Sequence, residues 1–258
     1  MRSDLPPPGL TFEALTKRFG TVVALDDVTF TVPPGAVTAL VGPNGSGKTT
    51  LMRIVLGLAS PTAGRALVAG QHYRHLHNPL TRIGALLDAT AVDPGLTGRT
   101  HLRWLAAAGG IPTGRADALL EYVGLSAAAR RRVGGWSLGM KQRLGVAVAL
   151  LGDPPILMLD EPMNGLDPEG MVWFRGLVRN LRDEGRTVLL SSHLMRELEG
   201  IADRVVVIHH GRIAADAGID SLLAEEVDTS GPPSLEDVYL RLVTSPEQVV
   251  TAPEQVRP

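Results

Sequence analysis

The chain has 258 residues, 44% of them hydrophobic and 20% charged, with a formal net charge of −2. That length can bury a full core in one large domain or two small ones, and the balanced charge leaves no electrostatic footprint for nucleic acid. There is no cysteine, which excludes disulfides and thiolate metal sites, and no run approaches the roughly 18 uninterrupted apolar residues of a membrane-spanning helix.

Residues 1–8 contain Pro6-Pro7-Pro8 and lack the apolar run of a signal peptide, so a flexible start is expected. Leu10 to Leu15 reads as a first strand. A polar, glycine-flanked loop then carries Phe19, an aromatic that could stack on a base or plug the core. Val22–Leu25 and Val28–Val32 read as two more strands, and Pro33-Pro34-Gly35 as a tight turn.

Ala36 to Val41 is short, apolar and rich in β-branched residues, the pattern of a buried strand. It runs into Gly42-Pro43-Asn44-Gly45-Ser46-Gly47-Lys48-Thr49, which fits the phosphate-binding loop of glycine, four residues, then Gly-Lys-Ser/Thr. Thr50 to Gly57 follows with apolar residues at helical spacing and a glycine stop. Strand, glycine-rich turn and helix are the context that this motif needs. The glycines let successive N–H groups converge on a phosphate above the positive end of a helix. In that pattern Lys48 reaches the terminal phosphates and the Thr49 hydroxyl ligates Mg²⁺.

Arg65 to Gly70 reads as a strand and turn. His72, His75 and His77 cluster without a cysteine or a carboxylate at ligand spacing, the pattern of surface histidines. Ile83 to Leu87 reads as a strand ended by Asp88. From about Leu96 to Leu151 the chain reads as helical, broken at Gly109-Gly110 and Gly134-Gly135, as a helical insertion of about residues 88–152 in an α/β core. Arg130-Arg131-Arg132 reads as a solvated helix end. Trp136 to Arg143 is followed by an apolar helix from Leu144 to Leu151; Ser137 and Gly139 at a helix N-terminus offer a second anion-binding end, though taken alone they make an ordinary N-cap.

Ile156 to Leu159 is a wholly apolar strand that ends in Asp160-Glu161. Two adjacent acids at the end of a buried strand are costly unless they serve something. Beside a phosphate loop, the first can orient Mg²⁺ and the second can polarise a water aimed at the terminal phosphate. Asn164 to Pro168 is a loop containing Asp167, Met171 to Leu181 an amphipathic helix, and Arg186 to Ser192 a strand with His193 just past it. Arg204–Ile208 and His209–Ile213 read as a strand and a hairpin. Short helices are expected over 219–243, around Leu222, Leu223, Val238, Tyr239 and Leu240, and a loose tail over 244–258.

In this order, the motifs resemble the ATP-binding subunit of an ABC transporter over roughly residues 9–215. Ser234-Leu235-Glu236-Asp237-Val238-Tyr239-Leu240 and the form Trp136-Ser137-Leu138-Gly139-Met140-Lys141-Gln142-Arg143 are similar to bacterial drug exporters of the bacitracin-resistance type. The resemblance implies a P-loop NTPase core: a RecA-like sheet with helices on both faces, an antiparallel β subdomain and an inserted helical subdomain, together forming a domain over 9–218. It implies that Phe19 stacks on adenine and that Gly42 to Thr50, including Thr50, wraps the phosphates of ATP. Glu161 would be the general base, Asp160 and Thr49 would hold Mg²⁺, and Lys48 and His193 would touch the γ-phosphate. Asp167 would be the acid of the D-loop. Ser137 and Gly139 would face the ATP of a second subunit in a head-to-tail dimer, homomeric or heteromeric. A separate membrane permease would be the partner, holding the chain on the inner face of the cell membrane.

Two motifs depart from the family. Its usual Leu-Ser-Gly-Gly-Gln signature is Trp136-Ser137-Leu138-Gly139-Met140 here, and the glutamine of its Q-loop is replaced by Asp88. A carboxylate cannot donate the amide's hydrogen bonds, though it can bind Mg²⁺ or water. The function implied is an ATP-driven exporter of drugs or other small molecules. The alternatives are a soluble ATPase of the same group outside transport, and a weakly hydrolysing regulatory subunit.

Overall fold

A computed structural model describes residues 9–198, 200–224, 239 and 250–251. Two sheets organise the chain. The larger has seven strands, in the order Val250–Thr251, Arg212–Gly218, Arg204–His209, Val37–Val41, Thr187–Ser192, Ile156–Leu159 and Ile83–Leu86, and the smaller is antiparallel, in the order Val22–Val32, Leu10–Phe19 and Ala63–Val68. In the large sheet β3 (Val37–Val41), β5 (Ile83–Leu86), β6 (Ile156–Leu159), β7 (Thr187–Ser192) and β8 (Arg204–His209) run parallel. Antiparallel to β8 lies β9 (Arg212–Gly218), joined to it by His210 and Gly211. Both turn residues have φ > 0, at 47° and 77°, the backbone of a type I′ hairpin.

The apolar strands are continuous because both faces of the sheet are covered. Side-chain alternation divides them between two cores. Val37, Ala39, Leu157, Leu159, Val188 and Leu190 face one core, which is completed by α2 (Gly98–Ala108), α3 (Gly114–Tyr122), α4 (Leu138–Ala149) and α5 (Pro168–Asp183). Leu40, Ile156, Met158, Leu189 and Val206 face the other, with α1 (Lys48–Val55) and the antiparallel sheet. This places helices on both faces of a mostly parallel sheet, the P-loop NTPase arrangement.

The antiparallel sheet departs from expectation. β1 (Leu10–Phe19) and β2 (Val22–Val32) are each one continuous strand, and Phe19 ends β1 rather than sitting in a loop. The break expected between Leu25 and Val28 is a kink, with Asp27 at φ 54° and, in the partner strand, Ala14 at φ 46°. Threonine hydroxyls supply the acceptors that the bulges need: Thr16 takes the Asp27 N–H at 3.1 Å and Thr29 takes the Ala14 N–H at 2.9 Å. The third strand of this sheet is β4 (Ala63–Val68).

The stretch expected to be helical from Leu96 to Leu151 contains three α-helices. Ser126–Ala128 and Val133–Gly135 form 3₁₀ turns between α3 and α4. Arg130, Arg131 and Arg132 are exposed in the connection between these turns, not at a helix end. Near the C-terminus, α6 (Ile219–Ala224) contains Leu222 and Leu223. Of the tail expected to be loose, Val250 and Thr251 form β10, parallel to Ala215 and Asp216 of β9. Val238, Leu240 and the expected N-terminal arm, residues 1–8, lie outside the described residues. No described helix is long and apolar enough to cross a membrane.

Candidate functional site

The loop between β3 and α1 comes close to its neighbours. A Cβ on Gly42 would lie 2.1 Å from the Ile208 carbonyl oxygen, so only glycine lets the loop leave β3 against β8. Gly47 has φ 113°, and a Cβ there would lie 2.6 Å from the Ala24 carbonyl oxygen. The β8–β9 turn braces the loop from below: the Gly211 N–H donates to the Ser46 carbonyl at 3.1 Å, and the Gly211 carbonyl accepts from the Asp26 N–H at 2.8 Å. The Lys48 ammonium, almost fully buried, donates to the Gly42 and Pro43 carbonyls at 2.7 and 3.2 Å.

The acids of the 160–161 pair turn to different tasks. Asp160 stays in line with β6, where Oδ2 accepts the Thr49 hydroxyl at 2.6 Å and Oδ1 accepts the Ser191 hydroxyl at 2.5 Å. Glu161 leaves the strand with φ 47°, a left-handed conformation that costs a residue with a Cβ about 1–2 kcal/mol. That turn swings its carboxylate over the loop. Oε1 lies 3.4 Å from the Lys48 ammonium, and Oε2 lies 2.8 Å from His193 Nδ1.

The strained backbone is held on both sides. The Glu161 N–H donates to Ser191 Oγ at 2.8 Å. Its carbonyl accepts from the Asn164 N–H at 3.2 Å and from Gln142 Nε2 at 3.3 Å. Gln142 is buried on α4, five residues after Ser137, and so ties the first turns of α4 to Glu161.

A cavity of about 170 Å³ is lined by Ala24, Asn44, Gly45, Gly47, Lys48, Thr49, Thr50 and Glu161. A second, of about 670 Å³, shares Asn44 with it, is lined also by Gly42, Pro43 and His193, and reaches Tyr239. The residues expected from the loop, the acid pair and His193 are therefore brought together. Phe19, Ser137, Gly139, Asp167 and Asp88 line neither cavity.

Each of those five has its own setting. Phe19 is 53% exposed, its ring 4.7 Å from the Lys17 ammonium, so it does not plug the core. Ser137 caps α4, accepting the Met140 N–H at 3.2 Å, and Asp167 caps α5, accepting the Gly170 N–H at 2.7 Å. The start of α4 lies against the loop that leads into α5: a Cβ on Gly139 would meet the Gly165 carbonyl oxygen at 3.0 Å. The Asp88 carboxylate accepts from the Thr90 hydroxyl at 2.6 Å and the Thr90 N–H at 2.7 Å. Those bonds, the hydroxyl first, hold it below the ordinary carboxylate range.

The donor set fits a hydrated cation. Among the described residues no three His, Cys, Asp or Glu cluster as a metal cage, whereas Thr49 and Asp160 offer two hard oxygens beside the phosphate loop. Mg²⁺ suits that arrangement, because it keeps waters and takes substrate phosphate oxygens instead of filling an all-protein site.

The family model described as ABC transporter matches residues 25–164, more than half of the chain. The chain belongs to the ABC transporter family. It is 38% identical to the bacitracin transport ATP-binding protein BcrA of Enterococcus faecalis, over 81% of this chain and 69% of that protein. It is 35% identical to the lantibiotic transport ATP-binding protein SrtF of Streptococcus pyogenes, over 89% and 95%. A solved ATP-binding subunit of an ABC transporter superposes with a TM-score of 0.80 at 27% identity, covering 91% of this chain and 99% of that one. The chain is thus an ABC ATP-binding subunit, and its activity is that of an ATPase.

Within this ABC subunit, two site residues were not singled out by their local pattern. Ser191 and Gln142 act on Asp160 and Glu161 only through the pairing of β6 with β7 and the packing of α4. For Ser191 the available signal was a pair of hydroxyls, Ser191 and Ser192, closing a strand with an apolar centre.

Proposed function

We propose that this chain is the ATP-hydrolysing engine of a membrane exporter, with each ATP held between the phosphate loop of one subunit and Ser137 and Gly139 of a second. The observation that carries the reading is the Glu161 carboxylate poised between Lys48 and His193 on a backbone turned away from β6. In this reading the loop N–H groups and Lys48 bind the β- and γ-phosphates, and Phe19 offers an exposed ring to the adenine. Glu161 takes a proton from the attacking water, and His193, held at Nδ1 by Glu161, presents Nε2 to the γ-phosphate. Thr49 and Asp160 hold Mg²⁺, which neutralises phosphate charge when bound.

The names of the bacitracin and lantibiotic relatives support export of an antibiotic peptide or similar drug. The mover of that cargo would be a permease, to which this chain binds from the inner membrane face. Ser137 and Gly139 lie outside the cavity of their own chain, which supports a cage completed by a second subunit. Mixing two inactive variants tests this. Lys48→Ala keeps its α4 start and Ser137→Phe keeps its phosphate loop, so a mixed dimer has one intact composite site. Recovery of hydrolysis on mixing is expected; a mixture as inactive as its components would refute the shared cage.

A further inference from the structure

Ser191 is the one side chain among the described residues that bonds both Asp160 and Glu161. Its position follows from strand register. β6 and β7 are parallel with Leu159 opposite Leu190, which brings the next residues, Asp160 and Ser191, side by side. A hydroxyl has one proton and two lone pairs. Here the proton goes to Asp160 Oδ1 at 2.5 Å and a lone pair takes the Glu161 N–H at 2.8 Å. Ser191 has no exposed surface, so water does not stand in for either bond.

Both bonds fix something that the chemistry uses. The Asp160 carboxylate is gripped at each oxygen, by Thr49 from α1 and by Ser191 from β7. The Glu161 N–H bond helps to hold a left-handed backbone that would otherwise relax toward the extended strand, drawing the carboxylate away from Lys48 and His193. We infer that Ser191 is a positioning residue for ATP hydrolysis, locking the cation-side acid and the proposed base into one unit. The inference rests on the roles proposed above for Asp160 and Glu161.

The test compares Ser191→Ala, Ser191→Cys and Ser191→Thr with Glu161→Gln in the full chain. Turnover, KM for ATP, binding of a fluorescent ATP analogue and thermal unfolding are measured for each. Losing the hydroxyl in Ser191→Ala or Ser191→Cys should lower kcat about 10- to 100-fold, as removal of orienting partners commonly does, while KM and analogue binding stay near wild type. Ser191→Thr, which keeps the hydroxyl, should recover most of the rate. Should Ser191→Ala fail to fold, the size-matched Ser191→Cys against Ser191→Thr carries the same comparison. Equal rates with and without the hydroxyl, whether high or low, would overturn the inference. If Glu161→Gln also turned over normally, the fault would lie with the role of Glu161 and not with Ser191.

Discussion

The Trp136 indole occupies the space that a side chain on Gly98 would need: a Cβ there would lie 2.3 Å from the ring atom Cη2. Trp136 is buried, and Gly98 is the first residue of α2. The tryptophan that replaces the family's usual leucine is therefore matched by a glycine about forty residues earlier in the chain.

Gly98→Ala should destabilise the fold by about 1–3 kcal/mol, the usual cost of overpacking. Trp136→Leu should relieve that clash, so the double variant should be more stable than the two single effects predict, by a coupling of about 0.5–3 kcal/mol. Denaturant unfolding of the four proteins measures it, and simple additivity would show that the two residues do not compete for space.

Asp117 on α3 is held by Arg99 and Arg103 of α2, at 2.6 Å from each. Hydrogen bonds from Arg99 and then Arg103 lower its pKa from the ordinary 3.8 to about 2. A depressed carboxylate pKa means that the stabilisation is present above pH 4 and fades as pH falls toward 2. Asp117→Asn should therefore lower the melting temperature near neutrality, with the difference from wild type closing across that acid window. Melting curves between pH 6 and about pH 2 check it.

Asp88 spends its carboxylate on Thr90. Asp88→Asn keeps an oxygen for both bonds, whereas Asp88→Ala removes it. If the turn is what Asp88 supplies, Asp88→Asn should keep the basal ATPase rate and Asp88→Ala should lose thermal stability. A sharp rise in the Mg²⁺ needed by Asp88→Asn would instead assign Asp88 to the cation.

Gln142 reaches from α4 to the Glu161 carbonyl. Gln142→Leu removes one buried hydrogen bond, worth about 1 kcal/mol and so roughly fivefold in rate. The loss should fall on kcat, with KM for ATP little changed. An effect confined to KM would place Gln142 in nucleotide binding.

The strand, loop and helix around Lys48 were legible because each signal is local: an apolar run, glycines at fixed spacing, then helical periodicity. The acid pair and His193 were legible for the same reason, each ending an apolar strand. Other features depend on partners far away in sequence. The kink at Asp27 continues β2 only because Thr16 of β1 supplies the acceptor for its N–H. Phe19 looked like a loop residue because Gly20 follows it, yet pairing with Val22 extends β1 to that point. Ser191 was unremarkable until the β6–β7 register set it against Asp160.

Turnover of Glu161→Gln, with ATP binding measured on the same protein, tests the central claim most directly. The amide keeps the size of the side chain and removes its capacity to accept the water proton. Binding should stay near wild type while kcat falls about 10²–10⁴-fold. Hydrolysis by Glu161→Gln at the wild-type rate would contradict the account.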